Sequence, residues 1–198
     1  GAEEYLREAL APYAAEPPLL LAIISSCAAG LIGDDIEAIA RGAGLSCPIA
    51  VLDSSGLSGS FADGWDKAAC AVLSAFLPEQ RAGQANAVNL IGVTSAYYNG
   101  ENDAHELMRL LALAGYHVNV ALGCDMSAAD LSGLTQAALN IVVHDELGGG
   151  AARLLAETCG MPCIAPLPPY GRAGTRKWLV EIGRVLPAPR ADAAEEEI

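Results

Sequence analysis

His144 directly follows the apolar run 140–143 and stands four residues before the triplet Gly148-Gly149-Gly150. An imidazole so placed can ligate a metal or donate a proton; it can equally be a loop histidine bonded to backbone or water. The glycine triplet reads as a loop opening a helix, whose bare amides would cradle an anion at Gly148 and Gly149. No P-loop lysine follows it, and no G-x-G-x-x-G opens the first strand–helix turn, so the nucleotide-binding signal is weak. Cys27 lies between an apolar run and the acids Asp34 and Asp35. Amides at a helix start favour thiolate, the form that binds metal; a small buried hydrophobe is the other reading. Asp34 and Asp35 form either a carboxylate pair or a helix cap. Cys159 and Cys163 are spaced too loosely for a self-contained zinc site.

These residues need elements to hold them, and the pattern is strand then helix throughout. Continuous apolar strands are read at 19–24, 49–52, 88–93, 117–122, 140–143 and 162–165, as in a parallel sheet covered on both faces. Helices are read at 2–14, 34–41, 63–76, 103–114, 128–138, 151–158 and 175–185. The fold class is α/β, with Rossmann-like three-layer parallel sheets. The polar break 78–85 divides the chain into a partial domain, 1–84, and a complete one, 85–186, with a tail at 187–198. Ligands of open parallel sheets sit beyond the carboxyl ends of the strands. In the second domain that edge carries Tyr97 and Tyr98, then Cys124 and Asp125, then 144–150, then 166–171.

Composition narrows the partners. Of 198 residues, 53% are hydrophobic, and the formal net charge is −13. Nucleic acid is not a partner, since no basic stripe is present; an anionic membrane surface would repel the chain. The uncharged stretch 17–33 is too short in its apolar part to span a bilayer and lacks the basic start of a signal peptide. A cytoplasmic location with six thiols is expected.

Beyond single residues, the segment from Ser25-Ser26-Cys27 through Leu31-Ile32-Gly33-Asp34-Asp35-Ile36-Glu37 resembles nitrogenase component 1. The loop Gly56-Leu57-Ser58-Gly59-Ser60 is similar to the next element of that superfamily. So are Val88-Asn89-Leu90-Ile91-Gly92, Asn102-Asp103 with Glu106-Leu107-Met108-Arg109, Gly160-Met161-Pro162 and Tyr170-Gly171, in that order. The superfamily includes nitrogenase subunits, cofactor-assembly scaffolds, dark-operative protochlorophyllide reductase and a tetrapyrrole reductase of coenzyme F430 synthesis. The resemblance implies the later part of a first domain followed by a second, with a third absent. It implies that Cys27 ligates an Fe–S cluster at a subunit interface, with partner cysteines upstream of this chain. It also implies a second component 1 subunit, in a homo- or heterodimer, and an ATP-dependent Fe–S reductase as electron donor.

Where nitrogenase proper has a cofactor-ligating cysteine, the best-matched residue here is His144. The nitrogenase histidine after the glycine loop falls at about Trp65, and a neighbouring glutamine near Ala62. The resemblance therefore implies low-potential electron transfer to a substrate other than dinitrogen, held at a second metal cluster site or as a tetrapyrrole. A scaffold without turnover and a binding domain without a redox centre are the alternatives.

Overall fold

A computed structural model describes residues 2–28, 33, 35–52, 59–76 and 83–190. Asp34, the loop residues 53–58, most of the polar break and the end of the tail lie outside the described residues. The chain forms two compact units, Gly1–Leu77 and Pro78–Ile198.

In the first unit the expected helix 2–14 is two helices, α1 (Ala2–Leu10) and α2 (Pro12–Ala15). Pro12 divides them, because its ring crowds the preceding turn and it has no N–H to donate. β1 (Leu21–Ile24) pairs in parallel with β2 (Ile49–Leu52), Leu21 opposite Ile49 and Ile24 opposite Leu52. Between them runs α3 (Ile36–Gly42), against which α1 packs. Asp35 caps α3: its carboxylate accepts from the Ala38 N–H at 2.9 Å. α4 (Phe61–Ala75) starts two residues earlier than expected, because Ser60 and Asp63 close a reciprocal capping box. The Ser60 N–H and hydroxyl both donate to Asp63 and hold its carboxyl below the ordinary value.

The second unit contains β3 (Gln84–Ile91), α5 (Gly100–Leu113), β4 (His117–Ala121), a 3₁₀ segment (Asp130–Gln136), β5 (Ala137–Val142), α6 (Asp145–Cys159), β6 (Cys163–Ile164) and α7 (Gly171–Val185). The four strands are all parallel, in the order β4-β3-β5-β6. Alternate residues of β3 face opposite layers. Val88 and Leu90 join Leu139 and Ile141 of β5 in a core with Leu107 and Leu111 of α5 and Trp178 and Ile182 of α7. On the other face Ile91 meets α6, and Asn89 meets the 3₁₀ segment. Three layers result.

That second face has a polar seam. The buried Asn89 amide donates to the Leu134 carbonyl at 2.9 Å and to Asn140 Oδ1 at 2.8 Å, while its own Oδ1 accepts from Asn119 at 2.9 Å. Asn119 also donates to the Gly133 carbonyl at 3.0 Å. Side chains from three neighbouring strands thus satisfy one another and the 3₁₀ carbonyls, as buried polar groups require.

Two expectations need correction here. Residues 128–138 are not an α-helix: Asp130–Gln136 form the 3₁₀ segment, and β5 begins at Ala137. Leu131 and Leu134, both buried, are three apart, the repeat of a 3₁₀ turn. Gly148-Gly149-Gly150 is not a loop either; it lies inside α6, which starts at Asp145.

Candidate functional site

From β3 the chain moves outward to β4 and then returns past β3 to β5. Connections therefore leave β3 and β5 in opposite directions, and a crevice opens between their carboxyl ends. It holds a cleft of about 180 Å³, lined by Thr94, Tyr97, Tyr98, Asp103, His144 and Tyr170 among others.

Each wall has a local cause. Thr94 Oγ1 accepts from the Ala96 N–H at 3.0 Å and turns the chain after β3. Asn99, with φ +60, donates to Asp103 Oδ1 at 2.9 Å, and the helix α5 begins beside it. A Cβ on Gly100 would fall on the Thr94 carbonyl, so the loop closes only with glycine there. The loop presents Tyr97 and the fully exposed Tyr98. Tyr170, also exposed, stands just before α7.

His144 sits immediately before α6 with extended backbone, φ −126° and ψ 111°. The Val143 N–H donates to the Ile91 carbonyl at 2.8 Å, continuing the β3–β5 ladder to the brink of the cleft. The His144 side chain is 33% exposed, with Nδ1 3.8 Å from Glu146 Oε1. An imidazole here can ligate or pass a proton to a molecule in the cleft. Three tyrosine rings at the rim can lie against a flat conjugated one.

Gly148 and Gly149 have a different place from the one expected. A Cβ on Gly148 would stand 2.5 Å from the Gly92 nitrogen and 2.8 Å from Ile91 Cγ2; one on Gly149 would stand 2.5 Å from Asp145 Oδ1. The anion cradle rested on a loop, whereas helical packing against β3 accounts for glycine at 148.

Cys27 lies in the first unit and is exposed. The Ser25 N–H donates to the Leu52 carbonyl at 2.9 Å, which carries the sheet one step past β1 and places Cys27 at its carboxyl end. An exposed thiol at a strand end fits the Fe–S group as one thiolate donor. Among the described residues, no group of three or more donor side chains includes it, so a cluster there would take its other ligands from elsewhere. Nor does any such group contain Cys159 or Cys163. Burial, then Asp145, pushes the Cys163 thiol up. Cys124 is buried, and burial, then Asp125 and Glu101, raises its thiol.

One constellation escaped the sequence reading. Glu101, His105 and Asp125 bring three donor atoms within 4.8 Å of one another. Glu101 and His105 are one turn apart on α5, a signal hidden by starting that helix at 103 rather than at Gly100.

Comparison with known proteins agrees with this architecture. The profile of the nitrogenase component 1 type oxidoreductases matches residues 1–198. The B subunit of the light-independent protochlorophyllide reductase of Prosthecochloris aestuarii is 29% identical over 174 residues, covering 83% of this chain and 31% of the relative. Its counterpart of the same name from Methylobacterium sp. is 30% identical over 194 residues, covering 95% and 38%. A solved structure described as "Nitrogenase Cp1 at pH 5" superposes with a TM-score of 0.80 and 26% identity, over 100% of this chain and 40% of that one. The chain spans about a third of the length of the curated relatives it matches. Among the described residues, no helix is long and apolar enough to cross a membrane. With its whole length matched by the profile and its parallel α/β fold shared with a solved member, the chain belongs to the nitrogenase component 1 type oxidoreductase family.

Proposed function

We propose that this chain is part of a nitrogenase-like reductase subunit that delivers low-potential electrons to a flat conjugated substrate of the tetrapyrrole class, and not to dinitrogen. The observation that carries the reading is His144, standing at the carboxyl end of β5 in a cleft rimmed by Tyr97, Tyr98 and Tyr170. An imidazole there supplies the proton that must accompany electrons into a conjugated double bond. The tyrosine rings offer flat apolar surface with a hydroxyl at each tip. The relatives named as protochlorophyllide reductase subunits support the same substrate class. At about 180 Å³ the cleft is smaller than the roughly 300–1,000 Å³ of a complete small-molecule site. It is one wall of a pocket that the rest of the full-length protein completes.

An Fe–S cluster, when bound, supplies one-electron transfer at low potential. Cys27 is the thiolate this chain contributes to it, shared with a second component 1 subunit in a homo- or heterodimer. An ATP-dependent Fe–S reductase is the electron donor. In this reading Gly148 supports the cleft by letting α6 close on β3, and neither Gly148 nor Gly149 touches the substrate.

The test compares full-length wild type with His144→Ala, each with the matching reductase under anaerobic conditions. Reduction of a tetrapyrrole by the wild type, lost in a variant with an unshifted thermal midpoint, is the expected result. Full activity in the variant would remove His144 from the chemistry. A wild type that holds a cluster and turns nothing over would be a scaffold.

A further inference from the structure

We infer that Glu101, His105 and Asp125 form a binding site for one divalent transition-metal ion of the zinc class. The site lies at the carboxyl edge of β4 and shares no residue with the lining of the tyrosine-rimmed cleft. It stands whether or not the proposed reductase activity does.

The donors come from two elements. Glu101 and His105 project from adjacent turns of α5, the i,i+4 spacing that puts two side chains on one face. Asp125 comes from the loop after β4, held with φ +47 between Cys124 and Met126. Asp125 Oδ2 already meets His105 Nε2. All three donor atoms lie within 4.8 Å of one another. An ion with bonds near 2.0–2.2 Å needs its ligand atoms roughly 3–4 Å apart, so modest side-chain rotations complete the sphere. The side chains of His105 and Asp125 are 49% and 48% exposed, which leaves room for that movement and for water on the remaining positions.

The charge balance points the same way. Two carboxylates are held close together, and among the described residues neither is ion-paired to lysine or arginine. Arg109, the next residue along that helix face, donates to Glu106 at 2.7 and 2.8 Å. The imidazole is what separates this cluster from a patch of solvated acids: one nitrogen and two carboxylate oxygens suit zinc, cobalt or nickel better than calcium or magnesium.

The test titrates cobalt(II) into EDTA-treated protein and reads visible absorption. One equivalent binding with d–d bands and no sulfur-to-metal charge-transfer band is the expected result. His105→Gln and Glu101→Gln should each weaken it by more than about a hundredfold, beyond the roughly 10–100-fold usual for losing an outer-shell partner. Circular dichroism should show both variants folded, and Glu157→Gln, on α6, should bind as the wild type does. No saturable binding, a thiolate charge-transfer band, or affinity unchanged in both glutamine variants would overturn the site.

Discussion

Gly92 and Gly148 meet backbone against backbone. Gly92 has φ +78 at the end of β3, and a Cβ on Gly148 would stand 2.5 Å from its nitrogen. The contact lets α6 begin directly after β5, which sets His144 across from Thr94 over the cleft.

Gly148→Ala should therefore destabilise the protein by roughly 1–3 kcal/mol, the usual cost of forcing volume into a packed contact. Gly64→Ala should do the reverse. Gly64 lies inside α4 with nothing within 4 Å of an added Cβ, so alanine should stabilise by about 0.5–1 kcal/mol. Urea unfolding of both variants checks the opposite signs.

Asn89→Leu should cost about 3 kcal/mol, because it strips partners from Asn119, Asn140 and the Leu134 carbonyl together. Asn86→Leu, at an exposed residue with one 3.3 Å bond to the Gly115 carbonyl, should cost less than about 1 kcal/mol. Equal losses in denaturant midpoint for the two variants would contradict the role of the seam.

Tyr116 ties the start of β4 to the end of α7: its hydroxyl donates to the Leu186 carbonyl at 2.5 Å. Burial raises this hydroxyl above its ordinary value of 10.0. The fold favours the protonated phenol, so its contribution is whole below pH 10 and is lost as pH rises through the folded value. Tyr116→Phe should cost about 1 kcal/mol at neutral pH and show a shallower fall in stability above pH 10. Parallel alkaline falls in the two proteins would contradict this.

Local signals made much of the fold legible. The runs read at 49–52 and 117–122 mark β2 and the start of β4 where the structure has them. The parallel α/β class follows from such runs alternating with helical segments. Elements decided by distant partners were not legible. The strand runs 88–93 and 140–143 already held Asn89 and Asn140, but nothing local showed that their side chains pair across adjacent strands. Gln84 joins β3 because Ala137 lies opposite it, although its own side is exposed. Three glycines read as a loop because glycine is a poor helix former; the demand for close approach at Gly92 outweighs that preference. In the site, His144 is legible because it ends an apolar strand. The strand-end rule placed Asp125 and the 166–171 loop at the same edge, but spacing along the chain did not show that Tyr170 lines the cleft with His144 or that Asp125 meets His105.

The central claim is tested most directly by iron and sulfide analysis of anaerobically purified full-length protein, wild type against Cys27→Ala. The wild type should carry a stoichiometric cluster. Cys27→Ala should lose cluster absorbance and iron while keeping its thermal midpoint, since a methyl group cannot replace a ligating thiolate. The 198-residue chain alone should hold no stable cluster, because Cys27 is one ligand and clusters of this kind take several thiolates. Unchanged iron content in Cys27→Ala, or stoichiometric iron and sulfide in the chain alone, would contradict the shared-cluster account.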